Sequence, residues 1–372
     1  MIIPLLILSI PILDTLFAII RRAKTEMIEF GSDFHLCGED YIELNASYNF
    51  WQDKRLYACG RHAFGALIQH NDWKRIWIPA YFCYEVIEYI ETLHIEVKLY
   101  NDFPGNKNVI SNISQLPFED GDVLLRVNYF GLDRVECKLN ISIPIIEDHT
   151  LGLNSEWMLN SSADWCVASL RKSLPIAMGG VLWSPKNHSL PSSIEATAEL
   201  NGLVSKRYEA MKLKADYLNN KFHQKDLFRS LYIETEQQIE FLGLSGLDSK
   251  TLSILEQLDL QKWLNVKKTN WQVAFDVLGK YNILHVGEVE HRTPFSIVVK
   301  CNSQEERDSL KKHLVQRNIY PAILWAMPES SDFSEACDFS NRMLSIHCDA
   351  RYGEADIKYI CGQIANFYDS NL

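Results

Sequence analysis

Asp164-Trp165-Cys166-Val167-Ala168-Ser169-Leu170-Arg171-Lys172-Ser173-Leu174-Pro175, followed closely by Met178-Gly179-Gly180-Val181-Leu182-Trp183, is the stretch on which the reading of this chain turns. Trp165 to Ser169 is a short apolar run of strand length. Lys172 ends the segment, and Gly179-Gly180 marks a turn into a second apolar strand, Gly180 to Trp183. A lone lysine after a strand reads as a surface residue. Its meaning therefore depends on the order of the segments around it.

Working outward, Ile143-Pro144-Ile145-Ile146-Glu147-Asp148 is another buried-looking strand that ends on an acidic pair. Strands are also expected at Arg75 to Ala80, Ile95 to Tyr100 and Asp122 to Asn128. Tyr57 to Gln69 reads as a loop into a helix opening at Gly60-Arg61-His62-Ala63, and Tyr84 to Leu93 as a second helix. Apolar strands of four to six residues that alternate with helices indicate an α/β chain with a mostly parallel central sheet between helices.

Ser192 to Lys221 is expected as a long helix, with Glu195, Glu199, Lys206, Arg207, Lys212 and Lys214 read as a solvated face. Phe241-Leu242-Gly243-Leu244-Ser245-Gly246-Leu247 is a break. Beyond it come helices Ser249 to Leu258 and Leu260 to Leu278, strand Phe295 to Lys300 and helix Ser303 to Arg317. Strand Leu344 to His347 and helix Glu354 to Asn371 follow. The expected division is an apolar segment over 1–24, a large domain over 25–245 and a smaller C-terminal α+β domain over 246–372.

The chain has 372 residues, 47% of them hydrophobic, enough to bury a large core. The formal net charge is −11, and no basic block exceeds Arg21-Arg22-Ala23-Lys24, which speaks against nucleic-acid binding. The nine cysteines include no CxxC pair and lie in apolar contexts. They fit a reducing compartment and argue against a disulfide framework or a metal site.

Ile2 to Ile20 is nearly all apolar and is followed by Arg21-Arg22. It has the length of a membrane span but neither a basic start nor a cleavage site. The string Pro11-Ile12-Leu13-Asp14-Thr15-Leu16-Phe17 resembles a membrane segment of the polyprenyl-phosphate sugar-1-phosphate transferases. The segment is read either as a fusion remnant of a neighbouring membrane gene or as an anchor. The expected localisation is cytoplasmic, with membrane association only if residues 2–20 are a real anchor.

A lysine that can form an imine, together with an aspartate for a ring nitrogen, is the minimum equipment of a pyridoxal phosphate enzyme. Lys172 and Asp148 supply that pair. In order along the chain, Gly60-Arg61-His62-Ala63, Ile78-Pro79-Ala80-Tyr81, Asn128-Tyr129-Phe130-Gly131, Ile146-Glu147-Asp148 and Ser169-Leu170-Arg171-Lys172-Ser173-Leu174-Pro175 resemble the DegT/DnrJ/EryC1/StrS sugar aminotransferases, within the fold-type I pyridoxal phosphate enzymes. The resemblance runs from about Tyr57 to the C-terminus. It implies a homodimer that transfers an amino group, with glutamate as donor, to a nucleotide-linked keto-sugar in surface polysaccharide biosynthesis.

The resemblance implies that Lys172 is the catalytic residue. Gly60, Arg61 and His62 would hold the cofactor phosphate, free N–H groups at a helix start being suited to an anion. Asp148 and Ser169 would also bind the cofactor, with Tyr81, Phe82 or His149 beside the ring, and Arg171 and Tyr129 would face the substrate. Two positions depart from the family. Cys83 stands where a large aromatic is common, and Leu151 where glutamine or histidine is usual. A family dehydratase replaces the lysine with histidine, which Lys172 argues against. A non-catalytic scaffold acting through partners is the alternative to the enzyme.

Overall fold

The computed structural model describes residues 29–37, 53–132, 139–285, 293–328 and 331–370. The apolar segment Ile2–Ile20, and with it the 1–24 unit, lies outside the described residues. None of the described helices is long and apolar enough to cross a membrane.

In chain order the elements are β1 (Phe30–Gly31), β2 (Arg55–Tyr57), α1 (Gly60–His70), β3 (Arg75–Pro79), α2 (Tyr84–Glu91), β4 (Glu96–Tyr100), α3 (Val109–Ser114), β5 (Asp122–Val127), β6 (Ile145–Asp148), α4 (Glu156–Leu159), β7 (Trp165–Ser169) and β8 (Gly180–Trp183). Then come α5 (Ala198–Leu218), α6 (Lys225–Phe241), α7 (Ser249–Gln257), α8 (Leu260–Leu278), β9 (Ile297–Lys300), α9 (Gln304–Val315), β10 (Ile319–Tyr320), α10 (Ser334–Arg342), β11 (Met343–Ile346) and α11 (Glu354–Asp369).

Seven strands form one sheet in the order β2-β8-β7-β6-β5-β3-β4. The pairs from β4 across to β7 are parallel, and β8 runs antiparallel to both its neighbours. The parallel part follows from helical crossovers, and its central strands are mostly apolar, with charged residues such as Arg126, Glu147 and Asp148 toward their ends. Strand β8 can turn back because Gly180 lies against the backbone before α1. A Cβ there would stand 2.2 Å from the Cys59 carbonyl oxygen, so no other residue fits.

Side chains alternate between the two faces of the sheet. Val127, Ile146, Val167 and Leu182 join Ala63, Phe64 and Leu67 of α1 in one apolar cluster. Cys166, Ala168, Val181 and Trp183 point the other way and pack against Leu255 of α7 and Trp263 of α8. Each large apolar side chain buried in these layers contributes about 1.5–3 kcal/mol. A separate cluster joins β9 and β11 with α8, α9 and α11 and takes in Phe30 of β1. Strand β1 reaches it by pairing in parallel with β10.

Several boundaries differ from the sequence expectation for local reasons. The strand expected at 143–146 lies at Ile145–Asp148, and Val127 pairs with Asp148, which carries that aspartate to the C-terminal end of the sheet. The helix expected from Ser192 starts at Ala198, because Thr197 caps it by accepting the Leu200 N–H at 3.2 Å. Helices α6 and α10 were not expected at all. The solvated-face reading of α5 fails at Arg207 and Lys214, which are both buried. Lys214 donates to Ser32 Oγ and to the Asp33 carbonyl, both at 2.7 Å, so the chain before the sheet satisfies it.

Candidate active site

The C-terminal ends of β6 and β7 and the N-terminus of α1 meet at one place. Cys59 is the N-cap of α1 and gives no side-chain cap. The first backbone bond of the helix runs from Ala63 N–H to the Cys59 carbonyl, so the turn opens on donors from Gly60, Arg61 and His62. A Cβ on Gly60 would lie 3.0 Å from Ser169 Cβ, which sets the helix start directly against the end of β7. Any side chain there would crowd the space in front of those donors.

Asp148 is buried and stands on the sheet face that α1 covers. Its Oδ1 accepts the Thr150 N–H at 2.7 Å. Thr150 Oγ1 in turn accepts the Ser169 N–H at 2.9 Å. Burial raises the Asp148 carboxyl above its ordinary range against the opposing hydrogen bonds from Thr150. A cation placed beside it would favour the carboxylate.

Lys172 ends a 3-10 turn, Leu170–Lys172, three residues after Ser169. Leu170 and Leu174 anchor that turn in the core, and the Trp263 indole N–H donates to the Ser173 carbonyl at 2.9 Å beneath it. Lys172 is exposed to solvent. The positive charge of Arg171, followed by burial, lowers its amine below the ordinary lysine range. Glu236 and Cys83 oppose the shift. The amine is therefore freed of its proton at lower pH than an ordinary lysine.

Arg171 forms a two-point pair with Glu236 of α6, Nη2 to Oε1 at 2.7 Å and Nη1 to Oε2 at 3.0 Å. Arg207 of α5 donates to the same Glu236 Oε2 at 2.9 Å and to Thr235 Oγ1 at 3.2 Å. Neither Glu236 nor Arg207 was among the expected site residues. Arg207 carried a signal that was misread, as a helix charge assigned to solvent. Glu236 carried none, because α6 itself was not anticipated. Thr150 was recognisable only as the second residue after the aspartate.

The remaining expected residues separate into two groups. Arg61 is half-buried at the helix start, and its charge acts on the Cys83 thiol. Cys83 is the N-cap residue of α2 and gives no side-chain cap. Burial pushes its thiol up, and the Lys172 and Arg61 charges pull against that. His62 faces inward instead. One ring nitrogen lies 3.1 Å from the Leu242 carbonyl, the other accepts the Ser245 N–H at 3.2 Å, and burial lowers its pKa. It clamps α1 to the 242–245 loop.

Tyr81, Phe82 and Tyr129 are buried in the core. The Tyr129 hydroxyl donates to the Tyr81 carbonyl at 2.9 Å, tying the ends of β3 and β5 together, while Phe82 packs edge-on to Phe64.

His149 points to the opposite face from Asp148. Its partners are Asn128 at 3.0 Å and Glu147 at 3.2 Å, and its ring packs against Trp157 and Trp183. Burial opposes ionisation of Glu147, but His149, Arg126 and Ser161 outweigh it and bring the carboxyl to about 2. Glu147, His149 and Cys166 place metal-ligand atoms within 4.8 Å of one another. Arg126, 3.3 Å from Glu147, and Ser161, 2.6 Å from it, already satisfy that carboxylate.

These features fit pyridoxal phosphate. The uncapped start of α1 and the side-chain-free Gly60 suit a phosphate, the buried Asp148 suits a ring N–H, and Lys172 is a solvent-open amine of lowered basicity.

No family model and no curated protein matches the sequence. Solved structures match in fold. A protein assigned as a sugar aminotransferase from Streptococcus pneumoniae, solved in its PLP form, superposes with a TM-score of 0.57 at 11% identity over 96% of each chain. A DegT DnrJ EryC1 StrS aminotransferase from Brucella abortus gives 0.54 at 16% identity, covering 88% of this chain and 91% of that one. DesI, solved in the presence of its TDP-sugar product, gives 0.59 at 12% identity over 94% and 88%. At these identities the likeness establishes the architecture, and it is the one expected from the sequence.

Proposed function

We propose that this chain is a pyridoxal phosphate-dependent aminotransferase that delivers an amino group to a nucleotide-linked keto-sugar, in surface polysaccharide biosynthesis. The observation that carries the reading is the meeting of the uncapped α1 start, the buried Asp148 and the open Lys172 at one end of the sheet. The sugar acceptor is supported by the company the fold keeps, including the DesI complex with a TDP-sugar.

When bound, pyridoxal phosphate supplies a carbonyl that exchanges amines and a ring that accepts electrons. The N–H groups of Gly60, Arg61 and His62 would hold its phosphate. Asp148 would keep a proton on the ring nitrogen, which would strengthen the electron sink. Lys172 would anchor the group through its amine and, once released from it, would hold and return a proton at its Nζ as base and acid. Its lowered basicity leaves it unprotonated, and so able to accept a proton, at lower pH than an ordinary lysine. Ser169 lines the phosphate cradle beside Gly60.

Arg61 remains part of the proposal as a cofactor residue, and Tyr81, Phe82 and Tyr129 as buried residues that shape the site; His149, held with Glu147 and Asn128 on the opposite face, is withdrawn from it. Arg171 faces the substrate. The division into 25–245 and 246–372 belongs to the same proposal. The separate apolar cluster around β9 and β11 supports it, while α8 spans both clusters. A homodimer is proposed as well, supported by Phe241 and Ile233 of α6, which are 83% and 58% exposed.

The test is incubation of the purified chain with pyridoxal phosphate, L-glutamate and nucleotide-linked keto-sugars. Formation of 2-oxoglutarate in step with an aminated sugar nucleotide is the expected outcome. Absence of any amino transfer across donors and acceptors would refute the reading.

A further inference from the structure

Two guanidinium groups converge on one carboxylate next to Lys172. Arg171 and Arg207 both donate to Glu236, with four nitrogen–oxygen contacts between 2.7 and 3.2 Å once Thr235 is included. The two arginine side chains are only 9% and 7% exposed, whereas Glu236 is 39% exposed. The cations are therefore fixed and the anion stands on the solvent side. Asp33, the other acid near Arg207, is 3.7 Å away, outside hydrogen-bond range.

The pairing is also incomplete. Arg171 Nε is buried and has no hydrogen-bond partner. Glu236 engages the two terminal nitrogens of Arg171 and leaves the side-on fork of Nε and Nη2 unused as a fork. A buried guanidinium N–H left empty is costly, and it points to a geometry in which a different carboxylate completes the fork.

We propose that Arg171 and Arg207 form a carboxylate-binding subsite beside Lys172, and that Glu236 is its internal occupant, displaced when the carboxylate of an acyclic amino donor enters. The word donor rests on the aminotransferase reading; the carboxylate subsite does not. Two buried guanidiniums cannot be left without a counter-charge, so Glu236 guards the site when it is empty and yields to an anion of the same planar shape. The present occupant is a carboxylate, so another carboxylate fits the two guanidiniums without rearranging them.

The experiment is a calorimetric titration with succinate, a dicarboxylate without an amine, carried out on the full chain without pyridoxal phosphate. Glu236→Gln keeps the size and one acceptor of the side chain but removes the competing charge. It is expected to bind succinate about tenfold tighter or more, the worth of one charged hydrogen bond or ion pair no longer contested. Glu236→Asp, a shorter tether, is expected between the two, and Arg171→Met added to Glu236→Gln is expected to abolish the gain. Equal or weaker succinate binding by a folded Glu236→Gln protein overturns the proposal. So does an equal gain for inorganic phosphate, which would contradict the choice of a carboxylate. Failure of amino transfer with these titrations intact refutes the proposed reaction and leaves the subsite standing.

Discussion

Asp148 and His149 are neighbours in the chain and serve opposite faces of the sheet. Asp148 looks toward α1 and accepts the Thr150 N–H, whereas His149 is held between Asn128 and Glu147 on the far side. The two residues should therefore fail in different ways. Asp148→Asn is expected to leave thermal stability nearly unchanged and to lower amino transfer on the order of 10²-fold, the scale of a lost proton-holding group. His149→Ala is expected to cost about 2–4 kcal/mol of stability through a cavity and a broken buried pair. Its effect on cofactor affinity should be small. Denaturation and cofactor titration of both variants check this.

Gly60 carries the second prediction. A branched side chain in Gly60→Val would meet Ser169, whose Cβ lies 3.0 Å from where the new Cβ must sit, and would crowd the uncapped N–H groups. Cofactor affinity is expected to fall about tenfold or more, the equivalent of one lost charged hydrogen bond. Fluorescence titration with pyridoxal phosphate measures it.

The basicity of Lys172 gives a pH prediction. Arg171 is the largest cause lowering it, so Arg171→Met should raise the amine toward its ordinary range. The pH at which Lys172 becomes reactive would move upward. Labelling of Lys172 by pyridoxal phosphate with borohydride, followed across pH by mass spectrometry, reads that midpoint directly. An unmoved midpoint would show that Arg171 does not set the amine's state.

Glu147 gives a stability prediction of opposite kind. Its carboxyl falls from an ordinary 4.5 to about 2 in the folded chain. An acid depressed by folding stabilises fully above its unfolded pKa and loses that contribution as pH falls through the folded one. Wild-type stability should therefore decline from about pH 5 downward in part through this group. The difference between wild type and Glu147→Gln should shrink over the same range in paired thermal melts.

Much of the fold was legible because its signals are local. Short apolar runs separated by helical spacing gave the parallel strands, and the Gly179-Gly180 turn marked the reversal into β8. Helix α6 was missed because apolar Leu227, Ile233 and Phe241 stand on its exposed face and blur the helical spacing of the buried Phe228, Tyr232 and Ile239. The burial of Arg207 and Lys214 was invisible for a related reason. A charge on a helix reads as solvated until the chain that neutralises it, here Glu236, Ser32 and Asp33, is folded against it. Asp148 and Lys172 were legible from order and spacing. That His149 faces away follows from strand alternation, once β6 is known to end at Asp148.

The most direct test of the central claim is the visible absorbance spectrum of the protein lacking residues 1–24, mixed with pyridoxal phosphate, for wild type and Lys172→Ala. The account predicts a yellow band that appears with the wild type, is bleached by borohydride with the label on Lys172, and is absent from the variant. A wild-type protein that stays colourless with added pyridoxal phosphate, or a band that survives Lys172→Ala unchanged, would contradict it.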